Sequence, residues 1–266
     1  MNLHSRRHWV IGDVHGCHQP LCQLLATLPP NDHLVFCGDV INRGEAIPAT
    51  MNLVWDLVQA GRATWLRGNH EQDLIDALES RDGLSQHATY AQLGDSSARQ
   101  WLPRLQQLPL VYRGDGWCAT HAGFDAAGQP DLSIRDPFWE AYDGRFGQVV
   151  VGHTPRPQVE RLGAIVLIDT GAVYGGCLSA YCPQTDAVVQ VEGAATDAVG
   201  RGQLFPQPSA GGPGVDHHLH RFQGARLLLD QLTGEQASQK FSPVASINRQ
   251  QGPTPASTAS VAAPST

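Results

Sequence analysis

Five short segments set Asp, His or Asn beside glycine: Gly12-Asp13-Val14-His15-Gly16, Gly38-Asp39-Val40-Ile41-Asn42-Arg43-Gly44, Gly68-Asn69-His70-Glu71, His121-Ala122-Gly123 and Gly152-His153-Thr154. Together they offer six potential metal ligands, Asp13, His15, Asp39, Asn69, His121 and His153. Mixed carboxylate, imidazole and amide donors suit Mn, Fe or Zn better than Mg or Ca, which favour oxygen shells. Six ligands exceed what one catalytic ion with open positions needs, so two divalent metal ions are expected, about 3.5–4 Å apart across a bridging carboxylate. Two such ions bring four positive charges; Asp13, Asp39 and a bridging hydroxide remove three. A positive pocket would remain in a chain of formal charge -7. That pocket suits a phosphate dianion.

The elements that must position these residues are legible as apolar runs ending in polar turns. His8 to Ile11, His33 to Cys37, Thr64 to Leu66, Trp117 to Thr120 and Val149 to Val151 read as buried strands. Leu21, Leu24, Leu25 and Leu28 form a helical stripe, and Ile47, Met51, Val54, Trp55 and Val58 form another. Strand and helix in alternation argue for an α/β fold, in which residues at the carboxyl ends of strands converge on one crevice. After His153, the runs Ile165 to Ile168, Cys177 to Tyr181 and Val188 to Val191 lack helices between them. They point to a second, more antiparallel sheet, face to face with the first.

Residues 1–193 are expected to form the catalytic domain. Residues 194–266 turn to Gly, Pro, Ser, Ala and Gln, a low-complexity tail with too little apolar content to offset its ordering entropy. Within it Leu227, Leu228, Leu229 and Leu232 suggest a short docking helix, and His217, His218 and His220 read as an exposed polar tract. Trp101 with Leu102, Leu105 and Leu108 reads as core or as the cover of a cap.

The 266 residues are 41% hydrophobic and carry 18 Lys and Arg against 25 Asp and Glu. No basic run suggests a nucleic-acid groove. No stretch nears the roughly 20 apolar residues of a membrane span, and the run after Arg6 and Arg7 stops at Gly12, so a cytoplasmic protein is expected. The six cysteines lack CxxC pairs, and Cys37 and Cys118 lie in apolar runs. Reduced, structural thiols are the expectation.

In their order the five motifs resemble those of the metal-dependent serine/threonine phosphoprotein phosphatases, within the calcineurin-like metallophosphoesterases, from about Val10 to Val191. The resemblance implies two face-packed mixed β-sheets flanked by α-helices. It implies that Asp13 and His15 bind a first metal, that Asp39 bridges, and that Asn69, His121 and His153 bind the second. It implies in-line attack of a metal-activated water on a phosphorylated protein or a small phosphoester. Arg43 takes the phosphate-binding position, with Asn69 beside it. Ser133-Ile134-Arg135-Asp136 is similar to the family's Trp-Ile-Arg-Glu/Asp, with Ser for Trp, and nominates Arg135 as a second phosphate ligand. His70 matches the general acid, and Glu71 supports the ligands from behind.

One position departs from the family pattern. Asn42 stands where these phosphatases usually carry the Asp that pairs with the acid histidine. An amide can orient His70 but cannot favour its imidazolium. A lowered His70 pKa and an earlier alkaline fall in activity are expected.

Blander readings exist for single residues: an Asp-x-His turn alone is more often a hydrogen-bonded loop, and Arg43 or Arg135 could pair with Glu45 or Asp136. Two rival functions stand beside the phosphatase. The symmetrical dinucleoside tetraphosphate hydrolases also have a non-acidic residue at the position of Asn42. Against them stand the short stretch between His121 and His153 and the Asn69-His70-Glu71 sequence in place of Asn-His-Asp. A non-catalytic binding module would lack ligands, and all six are present.

Overall fold

Runs of three or four apolar residues suit strands covered on both faces, and the leucine stripes suit helices covered on one. The computed structural model describes residues 6–194. The chain order is β1 (His8–Ile11), α1 (His18–Thr27), β2 (His33–Phe36), α2 (Ile47–Gln59), β3 (Ala63–Trp65), α3 (Asn69–Ser80) and α4 (Ala88–Gln106). There follow β4 (Val111–Arg113), β5 (Trp117–Thr120), β6 (Gly123–Phe124), β7 (Pro130–Asp131), α5 (Asp136–Ala141) and β8 (Gln148–Val151). The described chain ends with β9 (Glu160–Leu162), β10 (Ile165–Leu167), β11 (Cys177–Cys182) and β12 (Ala187–Glu192).

Two five-stranded mixed sheets result, in the orders β12-β11-β1-β2-β3 and β4-β5-β8-β10-β9. Each holds a parallel triplet, β1-β2-β3 in one and β5-β8-β10 in the other, with antiparallel strands outside it. Side-chain alternation explains why the runs are continuously apolar. Val10, Val35 and Leu66 meet Trp117, Val150 and Val166 between the sheets. Trp9, Ile11, Leu34 and Phe36 face the opposite way, into a core shared with Leu21, Leu24, Met51, Val54, Leu74 and Trp101 of the helices. Val149, Val151, Ile165 and Leu167 pack outward against Phe124 and Phe138.

The α/β reading and the two mixed sheets hold, but the late strands do not form one antiparallel sheet. β10 lies parallel to β8 in the second sheet, while β11 crosses to pair antiparallel with β1 in the first. Apolar periodicity marks a strand without naming its partner, which is why the assignment of these strands to sheets differs. Trp101 and Leu105 are buried in the helix-side core, as expected of a core stripe. α4 is broken at Gly94, where φ is 73° and ψ is 166°. Cys17, Cys37, Cys118 and Cys182 are buried free thiols, and Cys22 and Cys177 are half-buried. Among the described residues no helix is long and apolar enough to cross a membrane. The tail from residue 195, with the His217, His218 and His220 tract and the Leu227 to Leu232 segment, lies outside the described residues.

Candidate metal centre

Both parallel triplets run toward one rim, so their carboxyl-end turns meet there. The β1 turn brings Asp13 and His15, the β2 turn Asp39, the β3 turn Asn69 and His70, the β5 turn His121 and the β8 turn His153. Tight turning leaves a trace in the backbone. His15, Asp39, Asn42, Arg43 and His153 all have positive φ, and the other non-glycine cases among the described residues are Arg81 and Asp186. Such conformations persist where surrounding contacts impose them, and they cluster at functional sites. Two glycines permit the close approach: a Cβ at Gly68 would lie 2.2 Å from Asp39 Oδ1, and one at Gly152 would lie 2.2 Å from Asp13 Oδ1.

Asp39 sits at the middle of the cluster. Its Oδ2 is 3.5 Å from His121 Nε2, 3.7 Å from His15 Nε2 and 3.8 Å from His70 Nε2. Asn69 Oδ1 is 2.9 Å from both His121 Nε2 and His153 Nδ1. Asp13 Oδ2 lies 4.0 Å from His15 Nε2. Ligand atoms gather into two groups within 4.8 Å, His15 with Asp39 and His70, and Asp39 with His121 and His153. Asp39 belongs to both.

Hydrogen bonding decides which ring atoms are free. His15 Nδ1 is 2.9 Å from Ile41 O, and His121 Nδ1 is 2.8 Å from Cys37 O. A carbonyl only accepts, so each Nδ1 carries the proton and each Nε2 keeps a bare lone pair. These lone pairs face the Asp39 carboxylate and the Asn69 amide oxygen. Lone pair against lone pair is repulsive unless a cation lies between them, and a metal-ligating His bonded through its other nitrogen to a backbone carbonyl is a recurrent arrangement.

The carboxylates agree. Burial, reinforced by Asp169 and Asp39, pushes Asp13 well above the usual carboxylate range. Burial likewise raises Asp39 to about 8 and Glu71 to about 7. A crowd of buried carboxylates is unstable as anions without nearby positive charge. The donor types, the facing lone pairs and the crowded charge all fit a pair of divalent cations.

Around this centre stand the other residues expected from the sequence. Glu71 is fully buried. Its Oε2 accepts from Asp39 N and Gly68 N at 2.8 Å each, and its Oε1 accepts from Val40 N at 2.9 Å. It thereby fixes the backbone that carries Asp39. Asp39 Oδ1 accepts in turn from His70 N at 3.0 Å. His70 lies between Asn42 Nδ2, 2.8 Å from its Nδ1, and Arg43 Nη2, 3.1 Å from its Nε2. Burial and the Arg43 guanidinium draw its pKa down to about 4. Arg43 is exposed, turning to His70 and to the Tyr174 ring, 5.5 Å away, rather than to Glu45. Arg135 is also exposed; its Nε donates to Thr154 Oγ1 at 3.2 Å, next to His153, and not to Asp136.

Asp169 belongs to this cluster although it is not among the ligands expected from the sequence. It is 3% exposed, accepts from Gly171 N at 2.9 Å and acts electrostatically on Asp13 and Asp39. A signal existed: Asp169-Thr170-Gly171 ends the run at Ile165 to Ile168, another strand followed by a glycine-bearing acidic turn.

The two mixed sheets thus meet at a His- and carboxylate-rich crevice on their common rim. The chain matches the calcineurin-like phosphoesterases over residues 6–178 and belongs to that family. It is similar to a symmetrical bis(5'-nucleosyl)-tetraphosphatase of Ralstonia nicotianae, 32% identical over 143 residues, 50% of each chain. It is also similar to serine/threonine-protein phosphatase 1 of Salmonella typhimurium, 30% identical over 207 residues, covering 65% of this chain and 90% of that one. A solved structure provisionally assigned as a diadenosine tetraphosphatase superposes with a TM-score of 0.58 at 25% identity, covering 73% of this chain and 96% of that one. The chain spans about half the length of the symmetrical tetraphosphatases it matches, 50% and 46% of two of them.

Proposed function

We propose that this chain is a phosphoprotein phosphatase that hydrolyses phosphoserine and phosphothreonine monoesters. The observation supporting this choice over a symmetrical tetraphosphatase is coverage: the match takes in 90% of the Salmonella serine/threonine phosphatase but 50% of the Ralstonia enzyme, whereas an asymmetrical tetraphosphatase of Halalkalibacterium halodurans is covered to 87% and is not separated by it. The short stretch between His121 and His153 leaves little room there for an extra nucleoside-binding segment.

In this reading Asp13 and His15 would hold one divalent ion and Asn69, His121 and His153 the other, with Asp39, which belongs to both ligand groups, available to each. Mn is the proposed metal, with Fe or Zn accepted by the same donors. Such a pair supplies a nucleophilic water at neutral pH and positive charge for the phosphoryl oxygens. Arg43 grips two of those oxygens with its guanidinium fork, and Arg135 approaches from the side of Thr154. His70 delivers a proton to the departing serine or threonine oxygen. Substrate phosphate draws the Arg43 guanidinium toward itself and away from His70 Nε2, freeing that nitrogen for the leaving group. Asn42 holds the ring at Nδ1, and Glu71 keeps the Asp39 backbone in place.

The second reading, hydrolysis of a dinucleoside tetraphosphate, is favoured by the 32% identity to the Ralstonia enzyme and by the structural match to the assigned diadenosine tetraphosphatase. Metal-reconstituted protein offered a phosphoserine peptide and a dinucleoside tetraphosphate in parallel separates the two. Turnover of the peptide at least tenfold above the dinucleotide in kcat/KM is expected; the reverse order would replace the first reading by the second.

A further inference from the structure

Asn42 and Arg43 are consecutive non-glycine residues at positive φ, 68° and 67°. Neither conformation is intrinsically favoured, so contacts must impose both. Those contacts come from the first turns of α4. Thr89 Oγ1 accepts from Asn42 N at 3.0 Å. Gln92 Nε2 donates to Gly44 O at 2.8 Å, and Gln92 Oε1 accepts from Ile47 N at 3.0 Å. Thr89 and Gln92 are three positions apart on the helix and so share a face, just before the break at Gly94. On its other side the loop lies against the His15 turn, where a Cβ at Gly44 would come within 2.1 Å of His15 O.

We propose that Thr89 and Gln92 are positioning residues that set the reach of Arg43 toward the substrate phosphate; this rests on the reading of Arg43 as a phosphate ligand. Thr89 is buried and Gln92 is exposed. An exposed glutamine adds little to the core, so its two backbone hydrogen bonds are its contribution. One uncharged amide head donates to the Gly44 carbonyl and accepts from the Ile47 N–H at once, which a carboxylate, having no proton to give, cannot do. Losing it lets the loop relax from its paired left-handed conformation and swing the guanidinium away from the phosphoryl position.

The test uses the full chain reconstituted with Mn²⁺, with an aryl phosphate as substrate and inorganic phosphate as inhibitor. Gln92→Ala is expected to raise KM and the phosphate inhibition constant about tenfold, since misplacement of a binding group by about 1 Å can cost up to 100-fold. Mn²⁺ affinity, read by calorimetry, stays within about twofold of wild type because no ligand is touched. Gln92→Glu is expected to match Gln92→Ala although nearly isosteric, because its second oxygen faces the Gly44 carbonyl without a proton to give. In an Arg43→Ala background, Gln92→Ala adds nothing to the phosphate inhibition constant. A purely structural role would leave the two substitutions additive, and additivity overturns the proposal; so does wild-type phosphate affinity in Gln92→Glu. Should Gln92→Ala not fold, Thr89→Val against Thr89→Ser gives the same reading, since Ser keeps the acceptor for Asn42 N and Val removes it. Arg43→Ala with unchanged KM and unchanged phosphate inhibition would instead remove the underlying reading of Arg43, a distinct result.

Discussion

Asn42 presents its amide nitrogen to Nδ1 of His70 at 2.8 Å, at the position where related phosphatases carry a carboxylate. With Arg43 Nη2 at 3.1 Å from Nε2, the ring meets donors on both edges. A neutral imidazole offers one lone pair and an imidazolium none, so this setting opposes the charged ring. The low pKa, about 4 and due first to burial and then to Arg43, has the same sign.

Replacing that amide by an acceptor is expected to reverse the bias. Asn42→Asp places an opposite charge beside the imidazolium and should raise the His70 pKa by about 1–3 units. A general acid acts only while protonated, so the alkaline limb of kcat/KM moves to higher pH by a similar amount. Parallel pH–rate profiles of the two proteins check this; a stationary limb refutes it.

Asp39 is shared by both ligand groups, so its charge matters twice. Asp39→Asn is expected to lose metal on gel filtration and more than about 100-fold in kcat. Elemental analysis of the eluted protein, with turnover of an aryl phosphate, reads both. Chelation of the wild type should also lower its thermal midpoint, since a metal held at a hundred times its Kd stabilises by about 2.7 kcal/mol per site. Full metal content with full turnover in Asp39→Asn contradicts the shared role.

Glu71 accepts from the backbone amides of Asp39, Val40 and Gly68 while fully buried. Glu71→Gln keeps one acceptor and turns an NH₂ against donors that then lack a partner. Each buried unsatisfied group costs about 1–3 kcal/mol, so urea denaturation should show a loss in that range with the slope unchanged. A variant as stable as wild type would mean that these amides find other acceptors.

At the opposite rim, His33 is half-buried beside His8 and Tyr112, and burial, with Arg6 and His8 nearby, lowers its pKa to about 4. The unfolded chain, with an ordinary value near 6.5, binds the proton more readily. Stability from this group is therefore complete above about pH 6.5 and is lost as pH falls toward about 4. The thermal midpoint of wild type should drop across that window, and His33→Gln should flatten part of the drop; identical pH dependence in both proteins excludes His33 as a source.

The ligand turns were readable because each sets an uncommon side chain beside glycine directly after an apolar run, and parallel strands deliver such ends to one place. Asp169 has the same design, but an apolar run with no helix after it does not show that its end turns into the same crevice. Thr89 and Gln92 carry no local mark at all. Their contacts with the Arg43 loop exist only because α4 returns across the end of β2, some 45 residues further along the chain, and periodicity within a helix does not encode what its polar face meets. The partition of strands was hidden for a related reason. β11 needs two faces covered wherever it lies, and its residues do not say which sheet supplies the cover.

Asp13, Asp39 and Asn69 descend from the first sheet, and His121 and His153 from the second. Cations seated among them would rivet the halves of the sandwich together across a seam otherwise joined by apolar contact. Catalytic competence then becomes a gauge of how the halves are seated: slippage too slight to melt any strand would part the donors and silence the enzyme first.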